Sequence, residues 1–285
     1  EQTDLLRFMR RQAPAMLWNP CNTGPAGYWP QMISLHDVAY LDQKTDTRPL
    51  FRLAYRFLIP RLLKRACHVF AVSETMKQRI ASVYSLPPDK ISVTLNGLDE
   101  EMLQADITRP KEKIILSVGS LTKRKNTALL IEAFLKSALA KDHLLYLIGS
   151  RAGIFQESDL PLHPSVHYLG QVDAATLIRY YQRASYVVCL SAYEGFGLPV
   201  LEALHFHCVV LCSDIPVFRE LYQEAVQYCI PETEAVIQAL RDLPSSDRPT
   251  AEMIRQLQSR FSYQKSAEQI LTMLHKYTDA NSPGA

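Results

Sequence analysis

An α/β protein with parallel sheets divided into two units is the fold class that this sequence predicts, on three observations. Short apolar runs rich in Val, Ile, Leu and Tyr alternate with amphipathic segments of helix length along the whole chain, the order that builds layered strand–helix–strand units. The 285 residues suffice for two domains of ordinary size, and 47% apolar with 21% charged residues is a globular composition. The apolar run Tyr186–Leu190 opens into a Gly-containing turn and then an apolar helical segment, the kind of junction at which open α/β sheets bind ligands.

Taken in order, the periodicity predicts a helix near Leu5–Gln12, strands at Ala15–Trp18 and Met32–Leu35, and a helix over Pro49–Arg65. A strand at His68–Val72, a helix over Glu74–Val83 with Ser73 as a natural N-cap, and a strand at Ile91–Leu95 follow. The second half supplies strands at Ile114–Val118, Leu144–Ile148, Val166–Leu169, Tyr186–Leu190, Cys208–Cys212 and Val226–Ile230, separated by helices or loops of suitable length. Helices are expected over Thr127–Leu139 and from Leu198 to Leu204, the latter with Pro199 in its first turn. Residues 107–259 then form a complete Rossmann-like domain, residues 1–106 a shorter first domain, and residues 260–285 a closing helix with a disordered tail, Asn281–Ala285.

Charge and cysteine usage narrow the function classes. A net charge of +2 supplies no global field that calls for nucleic acid. The six Cys form no C-x-x-C pair, and reduced, buried thiols are the economical reading. No stretch approaches the roughly 20 apolar residues of a membrane span, and Glu1-Gln2-Thr3-Asp4 is no signal peptide. A soluble cytoplasmic protein is expected, in peripheral contact with an anionic membrane through residues 48–65. There Arg48, Arg52 and Arg56 fall four apart on one helical face, followed by Arg61, Lys64 and Arg65. The alternative for this helix is an apolar side packed on the first sheet and a charged outer face.

Residues 192–203 carry the chemistry. They read Ala-Tyr-Glu-Gly-Phe-Gly-Leu-Pro-Val-Leu-Glu-Ala and set Glu194 and Glu202 eight apart across the turn. Gly195 and Gly197 let backbone N–H groups approach a ligand closely, and a helix N-terminus offers unpaired donors with partial positive charge, which suits a phosphate. Ionised carboxylates only accept hydrogen bonds, which suits sugar hydroxyls. Upstream, the segment Ser117–Asn126 ends a strand and opens a helix with Lys123, Arg124 and Lys125. Cations at a helix N-terminus are electrostatically unfavourable and call for an anion such as a diphosphate. A sugar nucleotide has both phosphates and hydroxyls.

The run EGFGLPVLEA, with its Glu-x7-Glu spacing, resembles the signature of the family 4 retaining glycosyltransferases. That resemblance implies the GT-B fold, two Rossmann-like domains with a cleft between them, the first of them incomplete here. It also implies transfer of a hexose, with retention and without a metal, from a nucleoside-diphosphate sugar to a glycan or polyprenyl-linked acceptor. Within the resemblance Glu194 faces the transferred hexose, Glu202 takes the ribose hydroxyls, and Gly195, Phe196, Gly197 and Leu198 give backbone contacts to sugar and phosphate. Gly119, Ser120, Arg124 and Lys125 match the family's Gly-x-Leu-x-x-Arg-Lys-Asn variant, which implies Arg124 and Lys125 on the pyrophosphate. An Arg commonly follows that Gly, where this chain has Ser120. Ser34-Leu35-His36-Asp37 resembles the element whose His lines the cleft near the anomeric carbon, so His36 and Glu194 are the catalytic candidates and Asp37 is placed to orient His36. Tyr168–Val172 looks like the loop over the nucleobase, assigning Gln171 and Val172 to the donor. Asn96–Asp99 resembles the crossover between domains, and Phe261–Ala267 the start of a kinked helix that crosses back to the first domain. The Trp18-Asn19-Pro20 and His36-Asp37 elements look closest to bacterial mannosyltransferases of O-antigen assembly, which favours GDP-mannose as donor and requires no cofactor.

The chain also departs from the family. No Gly-Gly loop precedes His36, and the first domain is short by one or two βα units, either by truncation or as a natural short version. His207 stands where a Gly ends the helix in a left-handed conformation, Val209 replaces a Pro, and Tyr222–Ala225 lacks a Gly-rich turn. These losses motivate an alternative expectation, a catalytically inactive glycosyltransferase-like protein that binds a nucleotide or a partner. A nucleotide-sugar epimerase or dehydrogenase is disfavoured because no Gly-x-Gly-x-x-Gly loop follows a first strand.

Overall fold

The computed structural model describes residues 3–12, 16–41, 49–150 and 163–279. Ala15, Arg48 and the Asn281–Ala285 tail lie outside them. The chain divides into two compact units, residues 1–96 with 261–285, and residues 97–260.

The first unit begins with α1 (Asp4–Gln12), β1 (Leu17–Asn19), β2 (Gln31–Leu35), α2 (Pro49–Arg65), β3 (His68–Ala71), α3 (Glu74–Tyr84) and β4 (Ile91–Val93). Its four strands pair in sequential order, all parallel, with Ile33 opposite Val69 and Val69 opposite Ile91. Strands β2 and β3 are buried throughout, which is why they read as unbroken apolar runs rather than alternating ones. Ser73 is buried and accepts the Met76 N–H at 3.1 Å, so it caps α3.

The second unit runs α4 (Glu100–Leu103), β5 (Glu112–Val118), α5 (Thr127–Lys136), β6 (Leu144–Ile148), β7 (Val166–Gly170), α6 (Ala174–Arg183) and β8 (Ala184–Cys189). It continues through α7 (Leu198–His205), β9 (Val209–Ser213), α8 (Pro216–Tyr222), β10 (Gln227–Cys229), α9 (Thr233–Asp242) and α10 (Ala251–Arg260). The parallel sheet has the order β10-β9-β8-β5-β6-β7, the doubly wound pattern in which strand order reverses between β5 and β8. Its core joins Ile115, Leu145, Val188 and Leu211 of the strands to Leu130, Phe134 and Val236 of the helices. After α10 the chain returns to the first unit as α11 (Tyr263–Asp279), where Ile270 packs on Met32 and Phe70, and Ser266 Oγ donates to Leu95 O at 2.5 Å.

Several expectations are corrected. Helix α5 stops at Lys136 instead of Leu139, because Ser137 turns its hydroxyl back onto Phe134 O at 2.7 Å and competes with the next helical bond. Tyr168 to Gly170 belong to strand β7, leaving only Gln171 and Val172 in the turn beyond it. Arg52 is turned inward, its Nε donating to Tyr40 O at 3.3 Å, and so does not share an outer basic face with Arg56. That outer face is not purely charged either: Leu50, Phe51, Leu53 and Phe57 are all exposed on α2. All six Cys are free, with Cys189, Cys208, Cys212 and Cys229 buried and Cys21 exposed. Among the described residues no helix is long and apolar enough to cross a membrane.

The two glycine losses leave their turns intact. His207 adopts φ +55° and closes a Schellman ending, with Cys208 N–H on Ala203 O at 3.0 Å and His207 N–H on Leu204 O at 3.0 Å. Its ring nitrogen Nδ1 lies 3.2 Å from Pro249 O. Gln223 takes φ +43° and is held by the Tyr228 hydroxyl, which donates to Gln223 O at 2.7 Å.

Candidate active site

Where strand order reverses, the connections leaving neighbouring strands diverge to opposite faces of the sheet and open a crevice at their C-terminal ends. In the second unit that point lies beyond β5 and β8, the strands that lead into the Lys123–Asn126 loop and the Glu194 turn. The topology thus brings together two segments almost seventy residues apart.

Gly119 follows β5 at φ +135°, with its N–H on Ile148 O at 2.9 Å. Gly149, the residue after β6, comes so close that a Cβ there would lie 1.9 Å from Gly119 O. Only glycine fits, a requirement that sequence reasoning missed; its one signal is a Gly directly after an apolar strand. A Cβ on Gly119 would meet Lys125 Nζ at 3.4 Å, so the glycine lies directly beside that ammonium.

Residues Lys123–Lys125 form one 3-10 turn, and Asn126 at φ +53° starts α5. Four contacts lace this loop to the segment beyond β8. Asn126 Nδ2 donates to Leu190 O at 2.7 Å, Ala192 N–H to Arg124 O at 2.8 Å, and Arg124 Nη1 to Tyr193 O at 2.8 Å. The fourth is an ion pair between Lys125 Nζ and Glu194 Oε1, with Arg124 Nη1 3.6 Å from Glu194 Oε2. The Lys125 and Glu194 side chains are only 15% and 12% exposed, so little water screens them. Burial alone would raise the Glu194 pKa; the Lys125 and Arg124 charges, with hydrogen bonds from Lys125 and Ser191, outweigh it and hold the carboxyl below its usual range.

The turn itself is built for backbone contacts. Gly197 precedes α7 at φ +88°, and a Cβ there would lie 2.4 Å from the Phe218 ring. The Tyr222 hydroxyl fixes the turn by donating to Gly197 O at 2.9 Å. Phe196 is buried against Tyr222, ring centroids 6.4 Å apart, so its side chain belongs to the core and only its backbone faces a ligand. Leu198 opens the helix with Pro199 behind it.

Glu202 lies on α7 and accepts from the Tyr181 hydroxyl at 2.7 Å through Oε2. Burial raises its pKa, opposed by the Tyr181 hydrogen bond. Tyr181 is fully buried on α6, stacked on Phe206 with ring centroids 5.8 Å apart. Nothing in the sequence marked it out from other tyrosines of an amphipathic helix. Gln171 and Val172 follow β7, two strands from β5 and therefore about 10 Å along the same sheet edge. Ser120 lies between Gly119 and Leu121 in the lining of the small pocket that also includes Lys125 and Cys189.

His36 belongs to the first unit, directly after β2, with Nε2 2.6 Å from Pro20 O and its backbone N–H on Asn22 Oδ1 at 2.7 Å. Asp37 does not orient it: Asp37 Oδ1 accepts the Ala39 N–H at 2.9 Å and caps the following turn.

Comparison with known proteins gives this geometry a family. Residues 99–276 match the family described as "Glycosyl transferases group 1", and residues 12–102 that described as "Glycosyltransferase Family 4". The chain belongs to this glycosyltransferase family. As a glycosyltransferase it is 31% identical over 236 residues to the O-antigen chain mannosyltransferase RfbU of Salmonella typhimurium, an alignment covering 76% of this chain and 62% of RfbU. It is 30% identical over 182 residues to the GDP-mannose:cellobiosyl-diphosphopolyprenol alpha-mannosyltransferase of Xanthomonas campestris, covering 61% of this chain and 47% of that enzyme. This glycosyltransferase thus spans less than two thirds of either relative's length. Its fold is GT-B-like: Anabaena HepE, solved in complex with UDP and glucose, superposes with a TM-score of 0.68 at 16% identity, over 87% of this chain and 72% of HepE.

Proposed function

We propose that this glycosyltransferase moves a hexose, with retention, from a nucleoside-diphosphate sugar to a glycan or polyprenyl-linked acceptor in cell-surface polysaccharide synthesis. The observation that carries the reading is the Arg124–Lys125–Glu194 cluster at the strand-order reversal of the second sheet. In this reading Lys125 and Arg124 neutralise the donor pyrophosphate, and the exposed N–H groups of Gly195 to Leu198 add backbone donors. Glu194, ionised at neutral pH, accepts a hydroxyl hydrogen bond from the hexose and positions it rather than donating a proton. Glu202 takes the ribose hydroxyls, and Gln171 with Val172 borders the base.

As departure of the diphosphate breaks the anomeric C–O bond, the acceptor oxygen bonds to the same face of that carbon. Its proton passes to the leaving phosphate oxygen, so the protein contributes mainly position and charge neutralisation. His36 is carried as the second catalytic candidate by the sequence resemblance. Mannose from GDP-mannose is the favoured donor, supported by the names of the RfbU and Xanthomonas relatives.

Calorimetric titration with GDP, UDP and GDP-mannose tests the reading. Saturable binding, tightest for the guanine nucleotides, is expected; no saturable binding to any of the three ends it. Transfer to an acceptor by the parent and its loss in Glu194→Ala then separate an enzyme from an inactive nucleotide-binding relative.

A further inference from the structure

Helix α2 of the first unit carries Arg52, Arg56, Arg61, Lys64 and Arg65 and not one acid in seventeen residues. At about 100° per residue, Leu50, Leu53, Ala54 and Phe57 share a face with Arg61, Lys64 and Arg65. Ile59, Leu62 and Leu63 lie on the opposite face and are buried. The outer face is therefore divided along its length, apolar over the first two turns and cationic over the last. The apolar part stands in solvent, with Leu50 79%, Leu53 53% and Phe57 59% exposed and Phe51 beside them at 45%. No other helix among the described residues exposes four large apolar side chains within eight residues.

A second feature adjoins this face. A cavity of about 530 Å³ is lined by Arg56, Pro60 and Lys64, one stripe of α2, with Tyr40, Val83 and Tyr84 across from them. Among the described residues neither Arg56 nor Lys64 has an acidic partner. Two unneutralised cations at the mouth of a pocket beside an apolar surface match an amphiphile whose phosphate sits at the boundary of a hydrocarbon layer.

We infer that the outer face of α2 docks on an anionic membrane surface, with Leu50, Leu53 and Phe57 entering the headgroup region and Arg56 and Lys64 holding a lipid phosphate at the cavity mouth. Charge complementarity selects this occupant. Self-association through α2 would set five cations against five, whereas an anionic bilayer presents phosphates over hydrocarbon in the same order of depth as the helix presents cations and apolar groups. The inference is independent of the nucleotide-sugar reading, and its test contains no nucleotide.

The experiment is flotation of the protein with vesicles of phosphatidylcholine, with and without phosphatidylglycerol. Binding at least about tenfold tighter to the anionic vesicles, weakening with salt, is expected. The pair Leu53→Ser and Phe57→Ser should weaken it about tenfold or more, as should Arg56→Gln with Lys64→Gln. These side chains lie at the surface, so unchanged thermal unfolding certifies the fold of each variant. Phe57→Trp reports insertion directly, its emission moving to the blue when anionic vesicles are added. The inference is overturned if the parent ignores anionic vesicles, if the serine pair binds them as the parent does, or if Phe57→Ser instead dissolves a dimer seen by ultracentrifugation.

Discussion

At Glu194 two effects of opposite sign meet, and the balance decides what the residue does. Burial favours its neutral form, while Lys125 and Arg124 favour the charged one and win. The depressed pKa means that the cluster contributes stability above the unfolded-state value of Glu194, and that this is lost as pH falls through the folded-state value. Lys125→Ala should remove both the neutralising charge and this protection. Its affinity for a nucleoside diphosphate is expected to fall on the order of 10- to 100-fold by calorimetry, and a value within about twofold of the parent would take Lys125 off the pyrophosphate. Tyr181→Phe is the subtler case, because it deletes one donor to Glu202 without opening a cavity. A several-fold weaker affinity for GDP is expected, with no such change for the 2′,3′-dideoxy analogue, since the deletion acts only through the hydroxyls that Glu202 accepts. Equal weakening for both would make Tyr181 a packing residue only.

Among the elements, the end of α7 shows how a family turn survives the loss of its glycine. His207 holds the left-handed position at φ +55° and its ring reaches Pro249 O. Relief of backbone strain and loss of that contact offset each other, so His207→Gly should leave stability within about 0.5 kcal/mol. His207→Val, branched at Cβ, should cost about 1–2 kcal/mol in urea unfolding. A different device joins β3 to β4, where His68 Nε2 lies 2.8 Å from Ser92 Oγ and Nδ1 has no partner among the described residues. Burial, aided by Lys276 and Lys90, lowers the His68 pKa from 6.5 to about 4. The sign follows: the neutral ring supports folding above pH 6.5, and that support is lost as pH falls through about 4. Urea midpoints of the parent should drop across this window by the equivalent of roughly 1–2 kcal/mol after allowance for solvent screening. His68→Gln should flatten the drop, and an unchanged slope would place its cause elsewhere.

These elements also show what the sequence could and could not reveal. The strands were legible because parallel strands covered on both faces must be apolar throughout, as β2, β3 and β9 are. The acidic pair and the Arg124–Lys125 loop were legible because charge at a helix mouth needs a partner. Tyr181, Gly149 and the apolar outer face of α2 were not, because each depends on which neighbour the fold brings near or leaves away. Ser137 ended α5 early for a local reason, but one that competes with an otherwise sound apolar period.

For the whole molecule, the chain's two passages between units, after Asn96 and after Arg260, make the first unit discontinuous and the second a single insert. Every group proposed to hold the nucleotide, from Gly119 to Glu202, lies in that insert. A ligand that binds only the folded form stabilises it by RT ln(1 + [L]/Kd), about 2.7 kcal/mol at a hundredfold excess over Kd. GDP should therefore slow hydrogen exchange across residues 117–126 and 190–202 and raise the unfolding transition of the second unit. Exchange over β2, β3 and α11 of the first unit should remain as in the free protein. Added protection over residues 31–40 with GDP-mannose, absent with GDP, is the signature expected if His36 serves the donor sugar. Protection by GDP that is equal in both units would contradict confinement of nucleotide binding to the insert, because linkage stabilises only what the ligand touches or what unfolds together with it.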